Sequence, residues 1–149
     1  MIKLKNRVMM ISGANRGIGL ETAKLLKDKG CILSLGARNP EEIEINGENI
    51  IKCKWDAKDV ITSKNWVSKT ITKFNSIHGL VLNAGVELGG SLDDNSESEF
   101  DEMFEVNFKG PLRLVREALP ELRKIGSGRV INVVSLAGKR PRNSKILGY

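Results

Sequence analysis

The chain has 149 residues, of which 40% are apolar and 5% aromatic, with 24 Lys and Arg against 18 Asp and Glu. That size and balance fit one compact domain and exclude a collagen, a coiled coil or a disordered tail. Apolar runs such as 32–35 and 79–82 fall far short of the roughly 20 residues that span a bilayer, and no signal-peptide pattern opens the chain. A cytoplasmic location without a membrane partner is the expectation.

The net charge of +6 is unevenly spread. Residues 1–40 carry eight basic and two acidic side chains, residues 87–108 no basic and eight acidic ones, and residues 109–149 ten basic and two acidic. Aromatic residues do not interleave with the basic clusters, which argues against nucleic acid and for a small phosphorylated ligand. Cys31 and Cys53 lie in short apolar stretches without CxxC spacing, so buried thiols are expected rather than a disulfide or a metal site.

In chain order, Val8–Ser12 reads as a first strand, and residues 17–29 as a helix with Ile18, Ala23, Leu25 and Leu26 turned inward. Residues 32–36 read as a second strand and Ile50–Lys54 as a third. Residues 59–74 form a helix whose apolar side is Val60, Trp66, Val67, Ile71 and Phe74, and residues 80–83 a fourth strand after His78, the single histidine, which is read as structural. Residues 97–125 are a long helical stretch with Phe100, Met103 and Phe104 on one side, and residues 129–135 a fifth strand. Strands alternating with helices predict an α/β fold with a doubly wound, Rossmann-type parallel sheet. A sheet of two equal halves has a sixth strand, so this one is expected to be incomplete at its C-terminal side, as if the chain were cut short.

Ser12-Gly13-Ala14-Asn15-Arg16-Gly17-Ile18-Gly19 follows the first strand and opens the first helix. Glycines there allow a tight turn, a close approach of backbone to a pyrophosphate, and an anion on the helix N-terminus. The spacing is GxxxGxG, and Asn83-Ala84-Gly85, Asn107, a strand 131–135 ending in Ser135, and Tyr149 follow in order. On these motifs, which run from residue 8 to the end, the chain resembles the short-chain dehydrogenase/reductase family of classical type. The resemblance implies one dinucleotide-binding domain over 1–149, forming the N-terminal portion of such an enzyme. It also implies an oxidoreductase passing a hydride between a nicotinamide cofactor and a carbonyl or secondary alcohol.

The cofactor contacts expected are Ser12, Gly13, Asn15, Arg16, Gly17, Ile18 and Gly19 in the loop, Arg38, Asp56 and Ala57 after later strands, and Asn83, Ala84 and Gly85. An acid after the second strand favours NAD and an arginine favours NADP. Here the strand runs Leu35-Gly36-Ala37-Arg38 with no acid until Glu41, and Arg16 adds a second cation, so NADP is expected. Asp56 reads either as an adenine contact, by the resemblance, or as the cap of the next helix. Asn83 reads as a turn residue, a lining of the ribose site, or both.

By the resemblance, Tyr149 is the catalytic acid, Ser135 hydrogen-bonds the substrate oxygen, and Asn107 anchors a water in the proton relay. The family's lysine four residues after the tyrosine lies outside this sequence. That leaves a dinucleotide-binding protein or truncated remnant impaired in catalysis as the alternative. Pro111, four residues after Asn107, has no N–H for the Asn107 carbonyl, so a kink or a break into two helices is expected there. The acidic run 87–105 reads as a solvated face rather than a metal site. Ala118, Leu119 and Leu122 read either as core or as the helical surface that the family uses to form homo-oligomers.

Overall fold

A computed structural model describes residues 3–88 and 97–136. Five parallel strands form one sheet in the order β3-β2-β1-β4-β5, with β1 at Val8–Ser12, β2 at Ile32–Ala37, β3 at Ile50–Lys54, β4 at Gly79–Leu82 and β5 at Arg129–Asn132. The order reverses between β1 and β4, which places a crevice at the carboxyl ends of those two strands. β1 is buried at every residue and β4 likewise, as strands covered on both faces are.

Alternation along β1 sends Met9 and Ile11 to one face and Met10 to the other. The first face packs Leu33 and Leu35 of β2 under α1, Gly17–Asp28. The second packs under α2, Val60–Phe74, and α4, Gly110–Lys124, with Trp66, Leu80, Leu114 and Leu122 at its centre. The inward stripe of α1 is Gly19 and Ala23, with Leu20 and Leu26 partly buried. Ile18 and Leu25, expected inside, are 66% and 58% exposed; each lies off the stripe that faces the sheet. Val60, in the first turn of α2, is likewise exposed, at 62%. Ala118 and Leu122 belong to the core, so the core reading of that stretch holds for both.

The helical stretch expected over 97–125 is one path with a changed pitch in its middle. α3, Glu97–Phe104, passes into a π turn at Glu105–Lys109 and then into α4, with the Gly110 N–H bonded to the Glu105 carbonyl. Pro111 supplies the cause: its nitrogen cannot donate to Asn107, and the extra residue of a π turn absorbs the mismatch. The fifth strand is shorter than expected, ending at Asn132 rather than Ser135, and its residues are exposed.

Two polar contacts fix the layers. The Ser34 hydroxyl of β2, on the α2 side, accepts from the Trp66 indole at 2.7 Å and pairs with the Thr70 hydroxyl at 2.7 Å, and all three residues are fully buried. His78 accepts the Val8 amide on Nδ1 at 3.1 Å. Burial, and then the nearby Arg7 charge, hold its imidazole below the usual histidine range, which agrees with a neutral, structural ring. Cys31 and Cys53 are buried free thiols, each pushed up by its burial.

Replacing Ser34 with Ala leaves the Trp66 N–H and the Thr70 hydroxyl without their shared partner in a dry layer. The expected loss is about 1–3 kcal/mol, read as a lower urea midpoint at unchanged m-value.

Candidate functional site

The site lies where the strand order reverses. After β1 the chain turns through Gly13, whose φ of +68° and N–H bond to the Gly36 carbonyl at 2.8 Å start the loop. Gly19 packs so tightly on that turn that an added Cβ would stand 2.2 Å from the Gly13 carbonyl oxygen. Only hydrogen fits there, and the N-terminus of α1 is thereby drawn against the sheet.

The loop is clasped from the neighbouring strand end. The Ser12 hydroxyl accepts the Asn83 and Ala84 amides at 3.0 and 3.2 Å, and the Asn83 side-chain amide donates to the Ser12 and Gly13 carbonyls at 3.1 Å each. Ser12 is fully buried. Gly19 is buried as well, and both it and Ser12 shape the loop from behind the residues that line the first hollow. For Asn83 the turn role is met by its side chain while its backbone lines the cleft.

Two hollows meet along this edge and share Ile18, Asn83, Ala84 and Gly85. The first, of about 840 Å³, is walled by Gly13, Asn15, Arg16, Arg38, Asp56 and Ala57. The second, of about 940 Å³, is lined by Asn107, Ser135 and an apolar group that includes Phe100, Phe104 and Phe108. The exposure of Ile18 is explained here, since its side chain stands at the junction of the two. Gly17 lies on the wall of the first hollow. Tyr149 lies outside the described residues. Among the described residues no cluster of three His, Cys, Asp or Glu could hold a metal, and no helix is long and apolar enough to cross a membrane.

Asn107 is placed by the π turn with its side chain against the strand β4 exit. Its Oδ1 accepts the Val86 amide and its Nδ2 donates to the Val86 carbonyl, both at 2.8 Å. The side chain therefore pairs with backbone as another strand would. Asp56 does not cap α2: Asp59 does, accepting the Ile61 amide at 3.1 Å, while Asp56 Oδ1 accepts the Lys58 amide at 2.9 Å and tightens its own turn.

Several residues that frame the site carried no signal in the sequence. Thr62 fastens the Asp56 turn through its hydroxyl, 2.9 Å from the Asp56 carbonyl. Arg113 donates to the Ala57 carbonyl at 3.2 Å and to Glu105 of the π turn. The Arg113 hydrogen bond, and then that of Lys109, hold the Glu105 carboxyl below the usual carboxylate range. Gly110 lets the π turn sit on Ala57, where a Cβ would meet the Ala57 Cβ at 2.5 Å. Glu42 also lies on the first hollow's wall, bonded to Asn15 at 3.0 Å and to Asn39 at 2.8 Å. Each of these contacts joins residues far apart in sequence or separated by a turn, which periodicity does not report.

The family profile for short chain dehydrogenase matches residues 7–147. The chain belongs to that family. It is 37% identical over 147 residues to an agropine synthesis reductase of Rhizobium rhizogenes, covering 95% of this chain and 34% of that one. It is 34% identical to an uncharacterized oxidoreductase of Staphylococcus saprophyticus, over 93% of this chain and 58% of that one. The chain thus spans between about a third and three fifths of these relatives' lengths. A short chain dehydrogenase/reductase from Burkholderia phymatum, solved in complex with NAD, superposes with a TM-score of 0.87 at 26% identity, over 97% of this chain and 54% of that one. Thermoplasma acidophilum aldohexose dehydrogenase shares the fold, with a TM-score of 0.85 at 23% identity.

Substituting Asn107 with Ala removes both bonds to Val86. Stability is expected to fall by about 1–3 kcal/mol, and hydrogen exchange followed by mass spectrometry is expected to accelerate for the Val86 amide while β1 stays protected.

Proposed function

We propose that the protein is an NADP-dependent oxidoreductase acting on a carbonyl or secondary alcohol. The observation that carries this reading is the pair of guanidinium side chains, Arg16 and Arg38, on the wall of one hollow beside the Gly13–Gly19 turn. A glycine turn drawn close enough to admit backbone alone fits a pyrophosphate on the N-terminus of α1. Arg38 at the end of β2 fits a ribose 2′-phosphate.

Gly13, Asn15, Arg16, Gly17 and Ile18 would hold the pyrophosphate and its neighbours, Asp56 and Ala57 the adenine, and the backbone of Asn83 to Gly85 the adenosine ribose. When bound, the cofactor supplies the hydride. Ser135, at the carboxyl end of the sheet beyond β5, would donate a hydrogen bond to the substrate oxygen as negative charge grows on it. Tyr149 would deliver the proton; its unperturbed pKa of about 10 requires positive charge nearby for the phenolate to form at neutral pH. Asn107 would act through its hold on Val86, keeping the wall between the two hollows in place. The apolar lining of Phe100, Phe104 and Phe108 favours a substrate whose carbonyl is carried on an apolar body.

In the full-length protein, oxidation of NADPH would be followed with a panel of ketones and aldehydes. Arg38→Ala is expected to weaken NADPH binding about tenfold while leaving NADH within about twofold. Tyr149→Phe is expected to lower kcat by about 10²–10⁴-fold. Equal wild-type affinity for the two cofactors would overturn the NADP preference, and turnover that survives Tyr149→Phe would overturn the proton donor.

A further inference from the structure

The first hollow holds a carboxylate that no strand-end motif announces. β2 ends at Ala37, and the chain runs through Arg38 and Asn39 into a single 3-10 turn, Pro40–Glu42, started by the fixed φ of its proline. That turn folds Glu42 back onto the wall that Arg38 and Arg16 share. Both carboxylate oxygens are held there: Oε2 accepts from Asn15 of the glycine turn at 3.0 Å, and Oε1 from Asn39 at 2.8 Å. The two amide bonds, first Asn39 and then Asn15, keep the carboxyl below the usual range, with further help from the Arg38 and Arg16 charges. It is therefore ionised at neutral pH, in a position bounded by the glycine turn on one side and the end of β2 on the other.

In a dinucleotide-binding sheet, the end of β2 is where the adenosine ribose 2′ position is read. A carboxylate at that place accepts a hydrogen bond from a 2′-hydroxyl and repels a 2′-phosphate; an arginine does the reverse. This chain has both.

We propose that Glu42 is the specificity-determining residue opposed to Arg38 and Arg16, setting how far the site prefers NADP over NAD. The inference rests on the dinucleotide reading of the hollow. A 2′-phosphate takes up the guanidinium groups only with Glu42 as a neighbouring like charge, and competes with it for the Asn15 and Asn39 amides. A 2′-hydroxyl meets an acceptor already oriented by those amides. The arginines thus favour phosphate, and Glu42 limits the margin, leaving NAD usable.

The test is titration of NADPH and NADH against the full-length wild type, Glu42→Gln, Glu42→Ala and Arg38→Ala at two ionic strengths. For both Glu42 variants, the ratio of NADH to NADPH dissociation constants is expected to rise about tenfold, through tighter NADPH binding, and the gain should shrink at high salt. A ratio unchanged within twofold in both variants overturns the proposal. A variant that is merely misfolded would weaken both cofactors together and leave the ratio alone, which counts against the proposal in the same way. If Arg38→Ala leaves NADPH affinity unchanged while the Glu42 ratio shifts, the NADP preference falls and the role of Glu42 stands. If Arg38→Ala loses NADPH and the Glu42 ratio is flat, the reverse holds. Binding of neither cofactor by the wild type overturns both.

Discussion

The clasp between Ser12 and Asn83 is the contact on which the rest of the site depends. A glycine turn at the end of a parallel strand is fixed only where its backbone finds partners, and a wandering turn cannot present its amides to an anion. Here a buried hydroxyl and a side-chain amide use up the polar groups of both strand ends. Breaking any one bond strands a partner away from water, which costs more than the bond itself contributes. The turn is therefore held from behind, and its outer surface lines the first hollow.

The π turn does for the other end of the site what the clasp does for the glycine loop. Its origin is a missing proton on Pro111, and its effect is to shift the register of the helix by one residue just where Asn107, Glu105 and Gly110 face three different neighbours. Asn107 reaches Val86, Gly110 rests on Ala57, and Glu105 meets Arg113, which in turn holds the Ala57 carbonyl. One local irregularity ties the wall of the second hollow to the floor of the first. A straight helix would present these three positions at angles of 3.6 residues per turn and could not satisfy all of them at once.

Electrostatics along the edge is a balance rather than a patch. The basic N-terminal segment places Arg16 and Arg38 on one wall, and the chain then brings Glu42 to the same wall through a proline-started turn. Lys58 and Glu102 form an exposed pair across the same hollow, 3.1 Å apart, and such pairs contribute little to stability. Their effect is to place both signs of charge at the rim, so the net +6 of the chain is a poor guide to the field a ligand meets.

Much of the architecture was legible in the sequence because it follows from short-range rules. The limits of β1 and β3, the order of strands and helices, the glycine turn, and the disturbance of the helix at Pro111 all rest on periodicity, glycine and proline chemistry within a few residues of chain. The structural reading of His78 likewise needed only its position just before a strand. What tertiary structure decided are contacts made across some 20 to 70 positions of sequence: Ser12 with Asn83, Asn107 with Val86, Arg113 with Ala57, and Glu42 with Asn15. Tertiary packing also decided which side of α1 faces inward, because Ile18 is as apolar as Leu26 and only the sheet's position separates them. A sequence reports which groups want a partner. Which partner each one gets depends on the angles at which strands and helices are stacked, and no local pattern carries those angles.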